Sequence, residues 1–102
     1  MKIADRKINL TSKPFIVAEM SGNHNHSIDR ALKIVESAAE TGVDALKIQT
    51  YTADTITLDV KDKEFIIKDN DSLWKGKSLH ELYKEAYTPW EWHEEIIKEA
   101  KT

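Results

Sequence analysis

Apolar positions along this chain follow two rhythms, and their alternation predicts the elements. Phe15-Ile16-Val17-Ala18 is a nearly unbroken apolar run after Pro14 that ends on Glu19, the pattern of a strand buried on both faces. Ahead of it, Lys2 to Ala4 and Lys7 to Leu10 are spaced to pair as a small hairpin. Met20 to His26 is rich in Ser, Gly, Asn and His and reads as a loop. Ile28, Ala31, Leu32, Val35, Ala38 and Ala39 then recur at helical spacing, with Ser27 at the N-cap position, Asp29 in the first turn and Gly42 as the stop. A second short strand, Asp44 to Thr50, follows. Strand, loop, helix and strand fit within about forty residues, the size of a parallel crossover unit.

Residues 51–77 show no helical period, and Ile56 to Val60 and Glu64 to Lys68 are spaced to form a hairpin across Lys61-Asp62-Lys63. A connection this long is usually functional or disordered; an ordered lid or partner contact and a plain surface insertion both fit it. Two helices come next, each opening on a capping-box pattern: Ser78-Leu79-His80-Glu81 and Thr88-Pro89-Trp90-Glu91, the second with Pro at the first helical position. Leu79, Leu82, Tyr83 and Ala86 line one face of the first; Trp92 or His93, Ile96, Ile97 and Ala100 line the second.

Two parallel strands with crossover helices cannot close a sheet and leave both edges bare. The container that resolves this is an α/β fold, the (β/α)₈ TIM barrel of roughly 250 residues. Residues 1–102 are then expected to be its N-terminal portion, about two of the βα units, in a truncated chain with no internal linker. Composition narrows the partners. The formal charge of -3 and a pI near 5.8 provide no basic surplus for a nucleic-acid backbone. There is no apolar run of membrane-spanning length, and the start Met1-Lys2-Ile3-Ala4-Asp5-Arg6-Lys7 lacks the apolar stretch of a signal peptide. These features predict a cytoplasmic protein, and the absence of cysteine is consistent with that.

The candidate chemistry follows from alternation along the strands. Phe15, Val17 and Glu19 share one face of the first strand, and Ala45, Lys47 and Gln49 share one face of the second, with Leu46 and Ile48 opposite. In a barrel the apolar set packs outward on helices, so Glu19, Lys47 and Gln49 point inward near the C-terminal strand ends, where barrel sites lie. An unpaired ammonium there costs several kcal/mol, which leaves two readings: a Glu19–Lys47 ion pair, or an anion site in which Lys47 attracts the substrate. Both can hold in turn. The loop histidines His24 and His26 have weak metal-ligand spacing and no accompanying carboxylate, against hydrogen bonds that shape the loop. His80 and His93 carry no special signal, and Trp74, Trp90 and Trp92 read as packing groups.

The blocks Phe15-Ile16-Val17-Ala18-Glu19-Met20-Ser21-Gly22-Asn23-His24-Asn25 and Gly42-Val43-Asp44-Ala45-Leu46-Lys47-Ile48-Gln49-Thr50-Tyr51 resemble the first two barrel strands and loops of the sialic acid synthase family. Thr50 to Thr57 and Leu82 to Trp92 are more similar to its pseudaminic acid synthase branch than to the N-acetylneuraminate or legionaminate branches. The resemblance covers essentially the whole chain but only the opening of the family's proteins, which continue into a C-terminal antifreeze-like domain that reaches the other subunit's site in a homodimer. It implies condensation of phosphoenolpyruvate with an N-acetylated sugar, here a 2,4-diacetamido-2,4,6-trideoxy hexose, with a divalent metal such as Mn²⁺ whose ligands lie outside this chain. By the same resemblance Lys47 binds phosphoenolpyruvate and Gln49 contacts the acceptor sugar. Glu19 is the catalytic candidate, a carboxylate near the reacting carbons that stabilises a developing oxocarbenium or directs water. Asn23 and His24 fall at substrate-loop positions with a supporting role, and Lys75-Gly76-Lys77 departs from the pattern expected for a further sugar contact. The competing reading is a free-standing, non-catalytic binding module that retains part of the fold.

Overall fold

Regular sheet structure begins only after local side-chain contacts have set the spacing of the chain. In the computed structural model, which describes residues 1–72 and 74–102, the Asp44 carboxylate accepts the Ile16 N–H at 2.8 Å while the Asp44 N–H donates to Ile16 O at 2.9 Å. Arg6 forms an ion pair with the same carboxylate. Ladder pairing between these two runs is therefore confined to β3 (Val17–Glu19) and β4 (Ala45–Lys47), which run parallel with Val17 opposite Ala45, Ala18 opposite Leu46 and Glu19 opposite Lys47. Both strands are shorter than the apolar runs that contain them, because Asp44 closes one end with its side chain.

Ahead of this pair, β1 (Lys2–Ile3) and β2 (Arg6–Lys7) form an antiparallel hairpin. It is tighter than the pairing of Lys2 to Ala4 with Lys7 to Leu10 that the sequence suggests. Ala4 takes a left-handed φ of 50° in the turn, and the Asn9 side chain accepts the N–H groups of Thr11 and Ser12 at 3.0 and 2.7 Å. This Asx turn ends the ladder before Leu10, which is left fully exposed.

Helix α1 (Ile28–Glu40) matches its sequence signals. Ser27 Oγ accepts the Arg30 N–H at 3.3 Å, and Gly42 has the left-handed φ of 78° that lets the chain leave the helix. Because α1 connects β3 to its parallel partner β4, the unit is the expected crossover. Ala31 and Val35 of α1 pack with Met20 and with Ile96 of α4 (His93–Ala100), and Ile28, Leu32, Ile34, Leu46, Ile48 and Trp92 close around them. The outer positions of the two predicted faces are not covered: Ala39, Ala100 and Ile97 lie at the surface.

The middle of the chain departs most from expectation. Residues 56–60 do not pair with 64–68. Instead α2 (Ala53–Ile56) forms one helical turn, with the Thr55 hydroxyl receiving the Thr52 N–H at 3.0 Å, and Lys63–Phe65 forms a 3₁₀ turn. The pairing partner of Ile67 is the segment before α3 (Leu79–Ala86): Ile67 N–H donates to Lys77 O and Gly76 N–H to Ile67 O, both at 3.0 Å. The reason lies in His80. Its buried ring is held by Asp54 through Nε2 at 2.8 Å and by Asp59 through Nδ1 at 3.5 Å, which fastens residues 54–59 to α3. Lys61-Asp62-Lys63 also lacks the Gly or Asn that a tight hairpin turn favours.

The two capping signals have opposite fates. At α3 the Ser78 box forms in full, with Glu81 N–H to Ser78 Oγ at 3.2 Å and Ser78 N–H to Glu81 Oε2 at 2.9 Å. The Ser78 N–H also holds the Glu81 carboxyl below the usual carboxylate range. At Thr88 no box forms. Thr88 is fully buried, its N–H donates to Gln49 O at 2.8 Å and its hydroxyl meets His24. The chain enters α4 through a 3₁₀ turn at Trp90–Trp92 with Pro89 as its cap. Tertiary partners outcompete the local motif here, since a buried hydroxyl and N–H are costly without them.

Candidate functional site

Parallel register and side-chain alternation bring Glu19, Lys47 and Gln49 together. Glu19 and Lys47 are direct neighbours across the strands, and Lys47 Nζ lies 3.2 Å from Glu19 Oε1. Gln49, two residues further along, donates from Nε2 to the same oxygen at 3.0 Å. One carboxylate oxygen thus gathers an ammonium and an amide at the C-terminal ends of both strands. The Lys47 and Glu19 side chains are 57% and 46% exposed, so water screens the pair and it adds about 1 kcal/mol or less to stability. Such a pair is poorly explained as a structural brace and remains free to exchange its partners for a ligand.

The loop after β3 is shaped by its own polar groups. Ser21, Asn25 and His26 have left-handed φ values of 50°, 48° and 55°. Such values are uncommon outside glycine and persist where surrounding contacts hold them. His24 supplies much of that hold. Its ring is fully buried, Nδ1 accepts the His26 N–H at 2.9 Å, and Nε2 lies 3.3 Å from the Thr88 hydroxyl. Trp92 packs edge-on against it with centroids 5.1 Å apart. Burial, and then the nearby His26, push the His24 pKa down, which favours the neutral ring. His26 stacks at a tilt on Tyr87 and Trp92.

Beside the Glu19–Lys47–Gln49 cluster lies a cavity of about 420 Å³. Asn23, Arg30 and Gln49 present polar groups to it, and Tyr51, Trp74 and Tyr83 form an aromatic side. Tyr51 and Tyr83 stand edge to face at 5.5 Å, and burial followed by the Tyr83 neighbour raises the Tyr51 pKa. Arg30 is fixed by an Nε bond to Asn23 O at 2.7 Å. Asn23 therefore lines the cavity while His24 sits behind the loop. Gln49 reaches the cavity wall and Glu19 and Lys47 stand beside Gln49 without lining it.

Several of these residues were not legible in sequence. Arg30 looks like any exposed residue of an amphipathic helix, and only its bond back to Asn23 brings it to the cavity. Trp74 and Tyr83 read as packing groups. Trp90 is largely exposed, whereas Trp92 packs on the histidine loop. His80 and His93 carry no special spacing, yet His80 is clasped by Asp54 and Asp59, and His93 Nε2 pairs with the Thr50 hydroxyl. Among the described residues no three of His, Asp and Glu group where they would hold a metal ion. Nor is any helix among them long and apolar enough to cross a membrane.

Comparison with known proteins shows which family the chain is similar to. The chain is 47% identical over 93 residues to the pseudaminic acid synthase of Campylobacter jejuni subsp. jejuni serotype O:2, a match covering 91% of this chain and 26% of that protein. It is 43% identical over 88 residues to the pseudaminic acid synthase of Helicobacter pylori, covering 86% and 25%. The match to the N,N'-diacetyllegionaminic acid synthase of Legionella pneumophila is 41% over 56 residues, covering 55% and 16%. The chain thus spans about a quarter of the length of the first two relatives. The pattern that defines the NeuB family matches residues 34–102, which include β4, the cavity's aromatic side and both C-terminal helices; this mixed α/β chain belongs to the NeuB family.

Proposed function

We propose that residues 1–102 are the opening part of a (β/α)₈ barrel in a phosphoenolpyruvate-dependent synthase of the pseudaminic acid type. It condenses phosphoenolpyruvate with a 2,4-diacetamido-2,4,6-trideoxy hexose to give a nine-carbon acidic sugar and phosphate. The observation that carries this reading is the convergence of Lys47 Nζ and Gln49 Nε2 on one oxygen of Glu19, at the C-terminal ends of parallel strands. The identities of 47% and 43% to proteins named pseudaminic acid synthase support the choice of branch.

In this reading Lys47 leaves Glu19 for the anionic substrate, an attraction of roughly 4 kcal/mol per unit charge at about 4 Å with an effective dielectric near 20. Glu19, released from the ammonium, stabilises positive charge developing at the reacting carbon or orients the attacking water. Gln49 and Asn23 offer amide groups to the acceptor from the cavity wall, and His24 supports the loop that carries Asn23. The divalent ion of this chemistry, Mn²⁺ or similar, polarises the acceptor's carbonyl oxygen when bound. The described residues do not form its ligand set.

The surface of the chain supports membership of a larger barrel over a free-standing module. Its accessible area of 7702 Å² exceeds the roughly 5,900 Å² of a folded monomer of this mass. Its radius of gyration of 16.4 Å exceeds the roughly 13 Å of a compact domain of this length. A direct test is a chimera in which residues 1–102 replace the matching quarter of the Campylobacter jejuni protein, assayed for phosphate release with phosphoenolpyruvate and a panel of acetamido sugars. Turnover with a 2,4-diacetamido-2,4,6-trideoxy hexose is expected. A folded chimera that releases no phosphate with any of them refutes the proposal, and preference for another acetamido sugar moves the chain to a different branch.

A further inference from the structure

Gly22 and the end of α3 meet more closely than any side chain at position 22 permits. A Cβ built on Gly22 would stand 2.9 Å from Ala86 Cβ and 3.3 Å from both Ala86 Cα and Ala86 O. The φ of Gly22 is not left-handed. Space, not backbone freedom, is what requires glycine at this position. The obstructing atoms belong to a helix backbone and its first side-chain carbon, which cannot rotate away; relief requires the helix end to move.

That helix end is also bonded to both parts of the site. Two residues after Ala86, the Thr88 hydroxyl meets His24 Nε2 at 3.3 Å and the Thr88 N–H donates to Gln49 O at 2.8 Å. Ala86 and Thr88 are both buried. Residues 86–88 therefore form a strut with the loop after β3 on one side and the end of β4 on the other. Gly22, Asn23, Gln49 and Ala86 all line the 420 Å³ cavity, so the strut's seat on Gly22 determines how far apart its walls stand. Lys47 and Glu19 are held opposite each other by the β3–β4 ladder and reach the strut only through the Gln49 amide on Glu19.

We propose that Gly22 and Ala86 are positioning residues: their backbone-close contact sets the separation of Asn23 and Gln49, and with it the fit of the acceptor sugar, with a smaller effect on the phosphoenolpyruvate side, which the β3–β4 ladder holds. This rests on the synthase reading above. In the complete synthase, Gly22→Ala is expected to raise the KM for the acceptor at least fivefold with the KM for phosphoenolpyruvate within twofold of native. Adding Ala86→Gly removes the closest clash and is expected to recover most of the loss. A general structural defect would shift both KM values together and would not be relieved by a second cavity-forming change; either result overturns the proposal.

If Gly22→Ala does not fold, Thr88→Val and Thr88→Ser carry the same test. Valine removes the bond to His24 at nearly constant volume and is expected to raise the acceptor KM about threefold, whereas serine keeps the hydroxyl and is expected to stay near native. Equal behaviour of the two sinks the strut. A crystal structure of Gly22→Ala, or of Thr88→Val, supplies an arm independent of catalysis. Displacement of residues 86–88 together with the Gln49 carbonyl supports the proposal whatever the substrate is, and an unmoved Gln49 refutes it. Lack of any turnover by the native protein would instead count against the synthase reading alone.

Discussion

The two faces of the β3–β4 pair are built from alternating residues of the same six-residue ladder, yet among the described residues only one is covered. On one face Leu46, with Ile48 just beyond the ladder, meets α1 and α4 around Met20, Ala31, Val35 and Ile96. On the other, Glu19 and Lys47 remain about half exposed and Val17 is 50% exposed. An apolar valine and an ion pair exposed side by side make sense as the lining of an interior that further strands would close, as the barrel reading proposes. The covered face holds the segment together; the open face has only its chemistry to account for its residues.

Substitutions on each face should therefore fail in different currencies. The largest effect is expected on the covered face. Ile96→Ala, at a site only 4% exposed, should cost about 3 kcal/mol of stability in the complete protein, read by chemical denaturation, with kcat/KM of the folded fraction unchanged. A loss of activity without loss of stability would erase the distinction. On the open face Glu19→Gln should lower kcat about a hundredfold, equivalent to about 2.7 kcal/mol, with little change in denaturation midpoint. An effect confined to melting temperature would restore the structural ion pair as the explanation of Glu19.

A smaller change is expected from Lys47→Met: a fall of about tenfold or more in kcat/KM for phosphoenolpyruvate, about 1.4 kcal/mol, with the acceptor KM moving less. Unchanged kinetics would remove Lys47 from the site. The smallest effect concerns the loop that joins the faces. Because burial lowers the His24 pKa in the folded state, the unfolded chain takes up a proton that the folded one resists once pH drops below the ordinary histidine value near 6.5. Stability should thus be level above about pH 6.5 and decline as pH falls toward the depressed folded value. His24→Gln should flatten that decline in melting temperature, and an equal slope in both proteins would show that His24 is not its source.

Local and repetitive signals were legible in the sequence. The helical period over 28–40, the Ser27 cap, the Gly42 stop and the Ser78 box each depend on groups within a turn or two of one another, and each formed, while the apolar runs formed strands over part of their length. Alternation put Lys47 and Gln49 on one side of the second run and Glu19 on one side of the first, and the parallel register set Glu19 opposite Lys47. What depended on distant partners was not legible. Thr88 looks like an N-cap until Gln49 and His24 claim its polar groups, and residues 56–60 look like half a hairpin until His80 captures Asp54 and Asp59.

Sequence by itself therefore determined which residues of this protein alternate, where α1 starts and stops and where α3 starts. Only tertiary structure decided that Arg30 turns back to Asn23, that the end of α3 rests on Gly22, and that a buried histidine binds the middle segment to a helix. The physical reason is one of range. Backbone geometry and caps act over a few residues and leave a local imprint, whereas a buried donor takes whichever acceptor the packed chain brings within about 3 Å, and nothing in the local sequence names that partner.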